Sequence, residues 1–230
     1  YVLCGADMTS LEDTTKRHYM QPLDPEYVAE MSKEGFDPHL DLAKHAGAIT
    51  QEDIDKHNSG EVSLKALRKN YKVVNYSATY GVGATKLSRT TGLSVKDAKR
   101  LLKAFWDRNW AVQKVAEDLS PRGNSQGGTW IKNPVSGFYH SLRSDKDRFS
   151  TLNQSTGVFC FDSWVALCRA NGVQTIGQFH DEIIALVGKG AEDATKQTME
   201  TAITKLNDRL KLNVPLGIDA QFGKNYAEIH

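Results

Sequence analysis

The chain has 230 residues, 40% of them hydrophobic and 25% charged, and a formal net charge of +1. That length buries a sizeable core in one or two domains. The lack of any run of about 18 apolar residues excludes a bilayer-spanning helix, and the lack of repeats or low-complexity tracts excludes a solenoid or a linker protein. Cys4, Cys160 and Cys168 form no CxxC pair and no ligand cluster, which suits a reducing cytosol, and two of them lie in apolar surroundings as small core residues. The small net charge hides an asymmetry. Residues 1–60 hold 12 acidic against 5 Lys/Arg residues, and residues 61–110 hold 11 Lys/Arg against 3 acidic ones. The basic stretch suits a polyanionic partner.

In chain order, an apolar strand at 2–7 enters a helix near 10–20, closed by Gln21-Pro22. Helices follow near 25–34, 38–46 and 51–57. The turn Asn58-Ser59-Gly60-Glu61-Val62 starts a long helix to about residue 80, with Ser59 or Ser63 as its cap. Gly81-Val82-Gly83 breaks it. A helix at 84–91 precedes a longer one from Ser94 to Leu119, opened by Ser94 and Asp97 as a capping-box variant. Residues 121–128 are turn-rich, 129–142 read as a hairpin, and a second long helix covers 145–170. Strands flank His180-Asp181-Glu182, followed by a helix at 191–211 and a last strand at 215–221. Strands early and late with helices between them predict an α+β fold.

Three segments carry chemistry. Arg68, Lys72, Tyr76 and Tyr80 recur every four residues and so share one slowly rotating helix face. The run spans roughly 18 Å, about the length of a nucleoside triphosphate. Its cations suit phosphates and its rings suit a sugar or base; an ordinary basic helix with a half-buried aromatic face has the same pattern. Asp7 ends the apolar run Val2-Leu3-Cys4-Gly5-Ala6, and His180-Asp181-Glu182 sits between two apolar runs. A carboxylate at the edge of such a strand is costly to bury unless a cation compensates it. A lone Asp after a strand is usually a turn residue or a cap.

In this order the segments resemble the motifs of family A DNA polymerases, the DNA polymerase I and phage replicative type. Asp7, Thr9, Leu11 and Glu12 match Asp-x-Ser-x-x-Glu with Thr for Ser; Arg68, Lys72, Tyr76, Tyr80 and Gly81 match Arg-x3-Lys-x3-Tyr/Phe-x3-Tyr-Gly; residues 180–182 match His-Asp-Glu. Gln154-Ser155-Thr156-Gly157 and the closing stretch Gly223 to His230 also match. The pattern is broken at Asp13-Thr14, Tyr71, Ser77 and Ser150, which touches neither the two aspartates nor the lysine.

The resemblance implies a polymerase palm, an antiparallel sheet with packed helices, at 1–22 and 136–230. It implies helical fingers at 23–135, with the nucleotide helix near 61–80. It implies two Mg²⁺ ions, with Mn²⁺ as a substitute, on Asp7, Asp181 and the Met8 carbonyl, and Glu182 close behind. Arg68, Lys72 and His39 would meet the triphosphate, Lys72 also protonating the pyrophosphate, and Glu12 with Tyr76 would exclude ribose. Tyr80, Gln154, His180 and Arg143 would contact primer and template. The expected partners are primer–template DNA and dNTPs. The thumb and exonuclease domains are expected to be absent, either on a partner subunit or in a missing N-terminal region, because the family carries them before the first motif and Asp7 is here the seventh residue. A start at Tyr1 fits a processed, split or truncated product, cytoplasmic, in a bacterial host if phage-encoded, with no membrane attachment. Two other readings stay open: a non-catalytic fragment binding DNA or a replication partner, and a single-subunit RNA polymerase-like enzyme, against which Glu12 argues.

Overall fold

The apolar run at the start forms strand β1 (Val2–Met8), one residue longer than expected. Helices α1 (Leu11–Met20), α2 (Pro25–Met31), α3 (Pro38–His45), α4 (Gln51–Asn58), α5 (Lys65–Thr79), α6 (Ala84–Thr91), α7 (Val95–Arg108) and α8 (Trp110–Asp118) follow. Then come strands β2 (Arg122–Gly123), β3 (Thr129–Lys132) and β4 (Tyr139–Leu142), helix α9 (Arg148–Ala170), the hairpin strands β5 (Thr175–Phe179) and β6 (Glu182–Val187), helix α10 (Glu192–Leu210) and strand β7 (Ile218–Gly223). This computed structural model describes residues 1–229; the closing His230 of the family-like ending lies outside the described residues. The class is α+β, as the alternation of elements predicts. Among the described residues no helix is long and apolar enough to cross a membrane.

The elements form two units: Tyr1–Gln21, Lys132–His140 and Leu152–His230 in the first, Pro22–Ile131 and Ser141–Thr151 in the second. The first is built on a four-stranded antiparallel sheet of order β5-β6-β1-β7. Cys4, Ala6 and Met8 of β1 alternate inward and meet Ile183, Ala185 and Val187 of β6, the period of two that puts one strand face in a core. Over them lie Cys160, Phe161, Trp164, Val165 and Cys168 of α9 and Met199, Ala202, Ile203 and Leu206 of α10, two helical stripes. The Trp164 indole N–H donates to the Met199 carbonyl at 3.2 Å, so its polar edge is satisfied inside the core. Burial pushes the thiols of Cys160 and Cys168 up to about 12; all three cysteines are core residues.

The opposite face of β1 is closed by the segment around Ile229. A Cβ on Gly5 would collide with the Ile229 carbonyl oxygen and lie 2.6 Å from Oε1 of Glu182. Only glycine permits that approach.

The second unit packs helices alone around Leu42 and Ala43 of α3, Tyr71, Val74 and Ala78 of α5, Leu87 of α6, and Ala98, Leu101 and Phe105 of α7. Two local expectations fail here. Neither Ser59 nor Ser63 caps α5, which begins at Lys65 after an uncapped Leu64. The Ser59 hydroxyl is spent on the Lys56 carbonyl at the end of α4 and on Glu61. The single helix expected over 94–119 is broken at Asn109 (φ −108°, ψ 35°), whose side-chain amide donates to the Phe105 carbonyl at 3.0 Å. An Asn amide that bonds nearby backbone offers the chain an alternative to the helical ladder. Ser94 does cap α7, accepting from the Asp97 N–H at 3.0 Å.

Candidate active site

Asp7 lies near the end of β1, directly opposite Glu182 of β6 on one side and Asp219 of β7 on the other. The Met8 N–H donates to the Asp181 carbonyl at 3.0 Å, which brings the β5–β6 turn alongside Asp7. The turn itself is strained: His180 has φ +53°, a left-handed backbone that costs a non-glycine residue about 1–3 kcal/mol. Its ring packs edge-on to Phe179, centroids 4.7 Å apart. Glu182 is not the surface turn residue that its place in the sequence allows. It opens β6 and is buried.

Like charges directly opposed on a sheet destabilise it, and Asp7 registers this. Burial, then the negative charges of Asp181, Asp219 and Glu182, push its carboxyl above the ordinary value, and only a hydrogen bond to its own backbone pulls the other way. Among the described residues no group of three or more His, Cys, Asp and Glu side chains forms a ready-made metal cage. Mg²⁺ seldom uses one, holding instead to one or two carboxylates with water and phosphate completing its octahedron. The residues present therefore fit a divalent cation: two neighbouring aspartates carry negative charge that such an ion would relieve. Met8 offers the site only its backbone, since its side chain is in the core. Asp219 was invisible as a site residue in the sequence. Its signal is a carboxylate in the midst of the apolar-alternating strand Ile218-Asp219-Ala220.

Glu12, in the first turn of α1, is exposed. Its carbonyl accepts the Asn153 amide at 2.9 Å, which fixes α1 against α9, the helix that carries the exposed Gln154.

In the second unit, α5 divides its faces as the sequence predicts. Tyr71, Val74 and Ala78 turn inward, while Arg68, Lys72 and Tyr76 do not. Tyr80 caps the helix end rather than extending it. Lys72 Nζ sits 5.8 Å from the Tyr76 ring centroid, within cation–π range. Arg68 is paired through Nε with Asp37. Burial alone would raise the Asp37 carboxyl, but Arg68 and the N–H groups of Leu40 and His39 outweigh it and hold it below the carboxylate range. His39 is buried, its Nδ1 accepting from the Asn75 amide at 3.1 Å, its ring 5.9 Å from that of Tyr76. Arg143 is almost fully exposed, 4.0 Å from Asp147.

No protein-family model matches the chain. It is 25% identical over 246 residues to DNA polymerase I of Streptococcus pneumoniae, covering 99% of this chain and 26% of that protein. To DNA polymerase I of Helicobacter pylori it is 23% identical over 252 residues, covering 100% and 25%. A DNA polymerase of Mycobacterium phage D29 is 30% identical over 201 residues, covering 84% and 30%. The chain thus spans about a quarter of the length of the first curated relatives it matches. In fold it is similar to the POL domain of Pol1 from M. smegmatis, solved in complex with DNA primer-template and dNTP, with a TM-score of 0.70 at 20% identity over 100% of this chain and 41% of that one. Along nearly its whole length the chain is thus similar, at 22–30% identity, to one part of several DNA polymerases, and it shares an α+β fold with the Pol1 polymerase domain.

Proposed function

We propose that the chain adds deoxynucleotides to a primer 3′-OH under the direction of a template, as the palm-and-fingers portion of a polymerase. The observation that carries this reading is the Asp7–Asp181 pair, set side by side by the Met8-to-Asp181 hydrogen bond, with the Asp7 carboxyl pushed up by burial and by its acidic neighbours. The first unit would be the palm and the second the fingers.

In the reaction the primer 3′-OH gives up its proton to water, its oxygen bonds to the α-phosphorus, the bond from that phosphorus to the bridging oxygen breaks, and pyrophosphate leaves. Asp7, Asp181 and the Met8 carbonyl would hold Mg²⁺ or Mn²⁺, which when bound supplies Lewis-acid stabilisation of the attacking and leaving oxygens. Glu182 adds negative potential behind them from its buried place on β6. Arg68 and Lys72 neutralise the triphosphate, His39 supports that contact, and Lys72 delivers a proton to the leaving pyrophosphate. Glu12, with the ring of Tyr76, excludes the 2′-hydroxyl of a ribonucleotide by leaving it crowded and poorly solvated. Tyr80, Gln154, His180 and Arg143 hold template and primer, and a thumb-bearing partner or N-terminal region supplies the remaining grip on the duplex through phosphate contacts.

Primer extension with Mg²⁺ and dNTPs tests this, using the chain alone and supplemented with a thumb-bearing polymerase fragment. Synthesis is expected in at least the supplemented reaction and is expected to vanish with Asp181→Ala. Extension that survives Asp181→Ala would refute the assignment. Residue 76 adds a sharper expectation. A Tyr hydroxyl replaces the 3′-OH that a dideoxynucleotide lacks, so Tyr76→Phe should lower dideoxynucleotide incorporation by about tenfold, the worth of one hydrogen bond of about 1.5 kcal/mol. Normal incorporation should be nearly unchanged. Equal terminator use by both forms, in a competition assay, would contradict it.

A further inference from the structure

Arg68 is held from one side by an unusually fixed carboxylate. Asp37 is the N-cap of α3, with Pro38 in the first helical position. Its Oδ1 accepts the backbone N–H groups of His39 at 2.8 Å and Leu40 at 3.0 Å, and its Oδ2 accepts the Nε–H of Arg68. A carboxylate whose first oxygen closes a helix N-terminus is located by the backbone, so its second oxygen is a fixed point. A second strut keeps α5 in place over that point. The Asn75 amide donates to the Pro38 carbonyl at 3.0 Å and to His39 Nδ1.

Which nitrogen is used decides what the contact does. A carboxylate competing with phosphate for Arg68 would take the outer edge of the guanidinium, where the two Nη groups present their parallel donors. Asp37 takes Nε, the nitrogen nearest the stem, and 41% of the Arg68 side chain remains exposed. Holding a long side chain by its inner nitrogen removes rotamer freedom in advance and leaves the outer fork to a ligand.

We infer that Asp37 is the positioning residue of Arg68, ordering its guanidinium beforehand for the phosphates of a nucleoside triphosphate. This rests on the phosphate-binding reading of Arg68 given above. Asp37→Asn isolates the effect, because Asn caps a helix as well as Asp does. Its carbonyl oxygen can keep the two N–H bonds, while its NH₂ cannot accept from Arg68 Nε. With the whole chain, dGTP binding in Mg²⁺ is measured by equilibrium dialysis, and the Arg68 Nε–H is followed by ¹⁵N NMR. Asp37→Asn should leave the circular dichroism spectrum unchanged, weaken dGTP binding about tenfold, and cost the Nε–H its protection from exchange with water. In an Arg68→Ala background it should have no further effect on binding. Unchanged or tighter dGTP binding by Asp37→Asn, with Arg68→Ala still weak, would overturn the positioning role alone. Wild-type affinity in Arg68→Ala, or no dGTP binding by the native chain, would overturn the phosphate role of Arg68 and this inference with it.

Discussion

Asp7→Asn is expected to abolish nucleotidyl transfer while making the chain more stable. In whichever assembly shows primer extension, the rate should fall by about a thousandfold or more, since several kcal/mol of charge stabilisation on the reacting oxygens would lose its anchor. The gain in stability follows from the environment. Burial and the charges of Asp181, Asp219 and Glu182 push the Asp7 carboxyl up in the folded chain, so the fold binds that proton more tightly than the unfolded chain does. The resulting stabilisation is complete below the unfolded carboxylate pKa and is lost as pH rises through the raised folded value. At neutral pH an ionised Asp7 therefore works against the fold, and an amide of the same shape does not. Solvent screens this half-open site, so the melting temperature should rise by no more than about 2–4 °C, the effect of about 1 kcal/mol in a chain of this size. The difference between variant and native chain should narrow at acidic pH and should reverse or vanish when Mg²⁺ is added. Thermal melts at pH 5 and pH 8, with and without the cation, measure all of this. A variant that melts lower than the native chain in the absence of metal would show that Asp7 is a structural residue.

Arg108→Met should make the helical unit easier to unfold, by about 3 kcal/mol. Arg108 donates through Nε to Asp41 at 3.0 Å and through Nη2 to Glu30 at 2.6 Å, and its guanidinium lies 3.8 Å from the centroid of the Tyr27 ring. Asp41 is only 5% exposed; its remaining partners are the Tyr27 hydroxyl at 3.1 Å and Lys44 at 3.7 Å. Breaking a buried pair from one side strands a charge, which typically costs 3–5 kcal/mol, and Lys44 should keep the value near the lower end, about 3 kcal/mol. Removing the stranded carboxylate as well, in Arg108→Met with Asp41→Leu, should restore much of the loss, because an apolar pair of similar volume replaces a desolvated ionic one. Urea denaturation followed by far-ultraviolet circular dichroism reads both. A loss under 1 kcal/mol in the single variant would mean that water reaches Asp41.

Sequence periodicity located the elements well where one face meets a core. The β1 strand and α5 are cases: Cys4, Ala6 and Met8, or Tyr71, Val74 and Ala78, follow a period set by burial. It failed where a polar side chain had to choose among several backbone partners at similar cost. Ser59 went to the end of α4 instead of the start of α5, and Asn109 split one expected helix into α7 and α8. The Thr50–Asp53 capping box that opens α4 was equally unannounced, although both residues bond reciprocally. The candidate residues divide along the same line. Asp7, Asp181 and the face of α5 stand out because charges at the edges of apolar runs are costly. Asp219 and Asp37 do not, because each matters through a neighbour that only folding supplies: Asp7 across a strand pair and Arg68 from another helix.

The placement of β1 also bears on how the chain is made. Its sheet partners are β6 and β7, so Asp7 waits for Glu182 and Asp219. At the usual 5–20 residues per second on a ribosome, roughly 175 residues of delay leave this apolar strand without a neighbour for about 10–35 s. The helical unit, whose residues lie in the interval, has time to fold first. Asp7 thus emerges well before its sheet partners, on an unpaired strand of the aggregation-prone kind, and a chaperone that holds extended apolar segments would find its best moment there.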